Sequence, residues 1–355
     1  MYRSRVALFT LLIMAGLATI LAVAIWREAR QNQLDQALIT AVRHKDAPTV
    51  VTLLQLGADA NAREKDVTRL SLWPLFRSRL TGKTTTPPHE ATALAIACGS
   101  SAEAAANSPQ QIAIVTALVA KGADVNGKDP DGNSLIIGPI RRDNAPCVQT
   151  LLNSGADPNA TDDKRTPALL AAVGGYDPRI SRKLPNGQTL EVFAIGHRWP
   201  DAAQWKAEYV ILKALLDKGA KIEARCYGGG TALHWVSKDD NVAAVRLLIA
   251  RGANVNARDD DGDTPLIEAG GCGCSGTVRF LLAHGADMTT RNNNGQTALL
   301  ETAEYGYPEI IEMLLAHGAD PFAKDNKGRG VLKIVRQGCD DAATYRLLKH
   351  AGAKE

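Results

Sequence analysis

Three histidines recur in register, His284, His317 and His350, 33 residues apart. Residues of one type at a fixed period suggest a shared metal. The spacing argues otherwise, because equivalent positions on packed helices lie about 8–10 Å apart, whereas nitrogens on one zinc ion each sit about 2.0–2.1 Å from it. Each falls in the last turn of an expected helix, where a charged imidazole interacts favourably with the helix dipole. Cys272 and Cys274 are the one close pair among six cysteines, the others being Cys98, Cys147, Cys226 and Cys339. A zinc site would need two further ligands nearby, and none is evident. The carboxylate runs Asp162-Asp163 and Asp259-Asp260-Asp261 lack the alternation of a calcium loop, so solvated turn residues are expected there. Asn159-Ala160-Thr161 has the form of a glycosylation acceptor. No phosphate loop, nucleophile elbow or triad is present, so no catalytic, cofactor-binding or metal residue is assigned, and a binding protein is expected rather than an enzyme.

The elements that carry these residues repeat. Apolar helical runs end in Gly-Ala or a variant at Gly57, Gly122, Gly155, Gly219, Gly252, Gly285, Gly318 and Gly352, with spacings of 65, 33, 64, 33, 33, 33 and 34 residues. A fixed period of this size specifies a stack of two-helix units, and the doubled spacings mark units carrying inserts. In the clearest unit, Asp261-Gly262 has the chemistry of a tight hairpin turn, Thr264 that of a helix N-cap and Pro265 that of a first helical residue. Thr166-Pro167 is read the same way, and Thr92, Thr231 and Thr297 as caps without the proline. Val278, Leu281 and Leu282 line one helical face, and Gly285 fits a left-handed position past the helix end.

These residues resemble the ankyrin repeat. Thr231-Ala232-Leu233-His234 matches its first signature, and Gly252-Ala253-Asn254-Val255-Asn256 and Gly155-Ala156-Asp157-Pro158-Asn159 its second. The resemblance spans roughly residues 31 to 353. It implies an all-α solenoid of helix–turn–helix units with β-hairpin loops, about eight repeats with two inserts, binding another protein through its concave surface. His234 would then bond the neighbouring hairpin backbone. Gly330 stands where the last unit would carry its capping Thr, as suits a terminal repeat. Leu34–Val42 with Val50–Leu54 reads as the N-terminal capping pair.

The inserts fall near residues 63–90 and 176–205. They hold three of the five tryptophans, and inserts in a repeat array map to one face, often the binding face. Trp73, Phe76, Arg77, Phe193, Trp199 and Trp205 are the candidate partner-binding residues, since Trp with Arg is hot-spot chemistry. Lys183 to Thr189 reads as a hairpin turn. Packing back to anchor each insert is the competing reading of the same aromatics.

Residues 1–30 form a separate segment, distinct from the array at 31–355. Val6 to Trp26 is uncharged for 21 residues after Arg3 and Arg5, about the length the hydrocarbon core requires. A single-pass signal anchor is favoured, with the repeats on the periplasmic or extracytoplasmic side. The alternative is a signal peptide cut after Ala22-Val23-Ala24, releasing a periplasmic helper or inhibitor of a specific enzyme or toxin. A net charge of +3 with interspersed signs gives no basis for nucleic-acid binding, and no small-molecule substrate is indicated.

Overall fold

A computed structural model describes residues 2–64, 91–99, 108–174, 180–183, 189–192, 202–338 and 342–354, and the side chains from Met14 onward except those of 180–183, 189–192 and 202–204. The chain divides into two compact units, Met1–Gly138 with Asn153–Gly155, and Pro139–Leu152 with Ala156–Glu355.

In the first unit α1 (Tyr2–Arg43), α2 (Ala47–Gln55), α3 (Ala93–Ala97) and α4 (Pro109–Ala120) alternate in role. α1 packs on α3 and α2 on α4, giving a layer of first helices and a layer of second helices. Leu38, Ile39, Ala41 and Val42 of α1 are buried, so the expected N-terminal capping pair is present. α1 also runs without interruption from the apolar N-terminal segment into that pair. Among the described residues, no helix is long and apolar enough to cross a membrane. The described apolar part of α1 begins only at Met14, and the side chains of Val6–Ile13 lie outside the description.

The second unit repeats the plan. α5 (Ile137–Arg141) bridges the division, followed by α6 (Ala145–Asn153), α7 (Ala168–Ala171), β1 (Ile180–Lys183), β2 (Thr189–Val192) and α8 (Ala202–Asp217). Regular pairs follow: α9 (Ala232–Lys238) with α10 (Val242–Ala250), α11 (Pro265–Gly271) with α12 (Ser275–Ala283), α13 (Ala298–Tyr305) with α14 (Pro308–Ala316), and α15 (Val331–Gln337) with α16 (Ala342–His350). First helices α9, α11, α13 and α15 pack successively, as do second helices α10, α12, α14 and α16. β1 and β2 pair antiparallel with Lys183 opposite Thr189, as the hairpin-turn reading requires.

The sequence signature has a local cause in each part. All eight Gly-Ala glycines adopt positive φ, between 83° and 97°, where a Cβ is disfavoured. Where an Asn follows the turn by four residues, at Asn61, Asn126, Asn159 and Asn256, it ties repeats together. Asn256 Nδ2 donates to Gly285 O at 3.3 Å while its Oδ1 accepts from Asp287 N at 2.8 Å. Asn61 does the same for Gly122 and Asp124, and Asn159 for Gly219 and Lys221. The amide of Asn159 is therefore already committed to the stack.

Two expectations need correction. The hairpin carboxylates are not all solvated turn residues. Asp259 Oδ1 accepts from the backbone N–H of Asp261 and Asp263, and Asp129 and Asp325 close their hairpins in the same way. Asp162 is buried, accepting from Thr166 N and pairing with Arg141 at 2.6 Å. The second correction is one of register. Thr166 is not the cap of α7; Pro167 is, without a side-chain cap bond. The cap lies 12 residues beyond the left-handed glycine in the regular units (Gly252 to Thr264, Gly285 to Thr297), and from Gly155 that count reaches Pro167. The hairpin glycine position then falls on Arg165, held at φ 67°.

Candidate interaction surface

The first helices of the second unit present one residue every 33 positions toward the hairpin side: Trp235, Glu268 and Glu301. All three are half-buried, as are Lys238 and Glu304 one turn further on. Lys238 Nζ bonds Glu268 Oε1 at 2.7 Å and lies 5.3 Å from the Trp235 ring centroid, a desolvated cation–π position. Gln296 Nε2 donates to Glu304 Oε2 at 2.8 Å. Tyr305 closes the row, 56% exposed.

Burial decides the electrostatics of this face. It raises the Glu301 carboxyl to about 7, helped by the charges of Asp263, Glu304 and Glu268. Burial also raises Asp263 and Glu268, against the opposing bond from Asn292 and the Lys238 ammonium respectively. For Lys238, burial is outweighed by Glu268, and its pKa is raised. The face therefore concentrates carboxyl groups around one ammonium and one indole.

Asp259, Asp263 and Glu268 each bring a carboxylate oxygen within 4.8 Å of the others. Three such ligands are the beginning of a cation site. Here their oxygens accept from backbone N–H groups, from Asn292 Nδ2 at 2.8 Å and from Lys238, so the cluster is built as a hydrogen-bonded ion-pair network.

His234 is fixed by its two bonds. Its Nδ1 accepts from Thr231 N at 3.1 Å, so Nε2 carries the proton and donates to Asp263 O of the next hairpin at 3.1 Å. Burial lowers its pKa, keeping it neutral in the bridging role the ankyrin resemblance implies. Each of His284, His317 and His350 donates through Nδ1 to the carbonyl four residues back, at 2.8, 2.7 and 3.0 Å. Cys272 and Cys274 are thiols, pushed up by burial to about 11 and about 12, and a protonated thiol is a weak nucleophile.

Of the six candidate partner-binding residues, Trp73, Phe76, Arg77, Phe193 and Trp199 lie outside the described residues. Trp205 is on α8, half-buried, and its indole nitrogen is enclosed without a hydrogen-bond partner among the described residues. The first insert leaves from a hairpin whose arms pair at Arg63 and Thr92.

A ladder at the same period escaped the sequence reading. Arg225 Nη1 donates to Arg258 O at 2.7 Å, Arg258 Nη2 to Arg291 O at 2.8 Å, and Arg291 Nη1 to Lys324 O. Backbone N–H groups of Asp260, Asn293 and Asn326 donate to the preceding hairpin as well. The 33-residue recurrence of Arg was the available signal.

Comparison with known families matches these same elements. The model for ankyrin repeats (3 copies) covers residues 201–292 and 260–325, and that for a single ankyrin repeat covers 132–163. The chain is an ankyrin-repeat protein. Protein glp-1 of Caenorhabditis elegans is 30% identical over 143 residues, 36% of this chain and 11% of that protein. The likeness thus reaches about a ninth of that relative's length.

Proposed function

We propose that this ankyrin-repeat protein is tethered to a membrane by its N-terminal helix and binds another protein through the first-helix and hairpin face of its repeats together with the two inserts. The observation that carries the reading is the row Trp235, Lys238, Glu268, Glu301 and Tyr305. The Asn and Arg ladders tie the repeats at their turns and hairpins, and within the row the Lys238–Glu268 pair does the same. Trp235 and Glu301 stay half-buried and Tyr305 exposed, which supports contact with a partner at this face. Trp73, Phe76, Arg77, Phe193, Trp199 and Trp205 are proposed as further partner contacts on the chemistry of Trp with Arg alone. Cys272 and Cys274 are thiols raised by burial and His234, His284, His317 and His350 are committed to backbone carbonyls, so the reading assigns none of them a catalytic role.

The tether rests on the uncharged stretch Val6–Trp26, and an extracytoplasmic array on Arg3 and Arg5 preceding it. Deletion of residues 177–200 tests the binding half, because it spares α8. The expected result is an unchanged helical circular dichroism spectrum with loss of partner capture, since repeat stability is a nearest-neighbour property. Retained capture, or loss of helicity, would contradict it.

A further inference from the structure

We propose that the bilayer surface crosses α1 at Trp26–Arg27, so that α1 carries the first repeat on the membrane with no hinge between them. The inference deepens the tether reading and rests on it.

Three observations converge on a lipid occupant for the described apolar part of α1. Met14, Leu17, Ile20, Leu21, Val23, Ile25 and Trp26 are between 49% and 68% exposed. At about 100° per residue these seven surround the helix, leaving no sector wider than about 100° without one. A partner helix would need one apolar face, whereas hydrocarbon contacts all of them. The hydroxyl of Thr19 donates within the helix, to Gly16 O at 2.8 Å and Ala15 O at 3.2 Å, as a medium without water requires. The boundary is marked chemically: Trp26 ends the apolar run, the Arg30 guanidinium sits 5.6 Å from its ring centroid, and Arg27 and Arg30 are exposed. Tryptophan with neighbouring arginine is interfacial chemistry.

The absence of a hinge follows from where α1 meets the array. Gln31 Nε2 donates to Gly57 O at 3.0 Å, and Asp35 accepts from Asp59 N at 2.8 Å. Only residues 27–30, about 6 Å of helix, separate the proposed boundary from the first tie to the repeats. Within the first unit, a partner would therefore be met at the membrane surface.

The test uses the full chain in phosphatidylcholine–phosphatidylglycerol nanodiscs carrying spin-labelled lipid, with the Trp26→Phe protein as the subtraction control. Trp26 emission is expected to be quenched roughly twofold more by a label near the headgroup than by one at the chain terminus. Strongest quenching by the deep label, or none in protein that stays with the disc, would overturn the boundary while leaving the tether intact. Failure to associate with the disc would remove the tether and this inference together. For the hinge, trypsin cleavage after Arg27 and Arg30 should be at least about tenfold slower than in a variant with a Gly-Ser linker inserted after Arg30, because a continuous helix must open locally to be cut. Equal rates would overturn the rigid connection.

Discussion

One hairpin position behaves differently in two parts of the second unit. In the regular stack it is glycine, at Gly229, Gly262 and Gly295, each with positive φ. A Cβ at Gly229 would stand 2.8 Å from Asp260 N, one at Gly262 3.1 Å from Asn293 N, and one at Gly295 2.7 Å from Asn326 N. The next hairpin presses against each. At Gly328 the φ is similar, 72°, yet nothing lies within 4 Å. In the repeat that precedes the second insert the position holds Arg165, exposed at φ 67°. The backbone conformation alone tolerates a side chain at some cost. Close approach of the neighbouring hairpin is what demands glycine at Gly229, Gly262 and Gly295.

The largest effect expected from this contrast is at Gly229. Gly229→Ala combines backbone strain with displacement of the Asp260 backbone, a loss of roughly 2–4 kcal/mol. Gly328→Ala adds only the strain, about 1 kcal/mol. Urea denaturation of both variants measures the difference; equal losses would show that φ rather than hairpin contact governs the position.

A second prediction concerns the seam between the interrupted repeat and the regular stack. Glu208 of α8 accepts from Asn241 Nδ2 at 3.1 Å, and Asn241 Oδ1 caps α10. Burial, with the charges of Asp239 and Asp143, raises Glu208 to about 8, against the Asn241 bond. The folded state therefore binds this proton more tightly than the unfolded chain. Its stabilisation is complete below the unfolded pKa near 4.5 and is lost as pH rises toward about 8. Glu208→Gln should remove that slope and gain on the order of 1–3 kcal/mol at pH 8. Melting temperatures of the two proteins between pH 5 and 8.5 measure it, and parallel curves would rule out a titrating Glu208.

The smallest effect is at Arg165. Arg165→Gly should relieve the left-handed strain and stabilise by about 0.5–1 kcal/mol, less than the strain itself because glycine also frees the unfolded chain. A destabilised Arg165→Gly protein would mean that the Arg side chain contributes to the hairpin.

Much of this architecture was legible in the residues because its causes are local. The glycine turns, the Thr264 and Thr297 caps and the His234 bridge each need a particular residue at a particular place, and the 33-residue period aligns them. Thr166 misled because Thr-Pro is an attractive cap and a one-residue offset is invisible without the hairpin bonds that fix the count. Asp162 looked like a solvated turn residue, since its partner Arg141, itself exposed, lies 21 positions earlier and outside the repeat motif. The Arg ladder and the Glu208–Asn241 pair both obey the period, 33 residues from donor to acceptor, and could have been found by asking which polar residues recur. The partner-binding residues of the inserts have no such redundancy: each occurs once, and only Trp205 is described.

The central claim is that the first-helix face of the repeats meets the partner. Site-specific photo-crosslinking tests it directly, with a photoreactive residue at Tyr305 on that face and, in parallel, at Arg279 on the second-helix layer, in membranes containing the full chain. The account predicts a discrete protein adduct from position 305 and none from position 279. Adducts from position 279 alone, or equally from both, would contradict it.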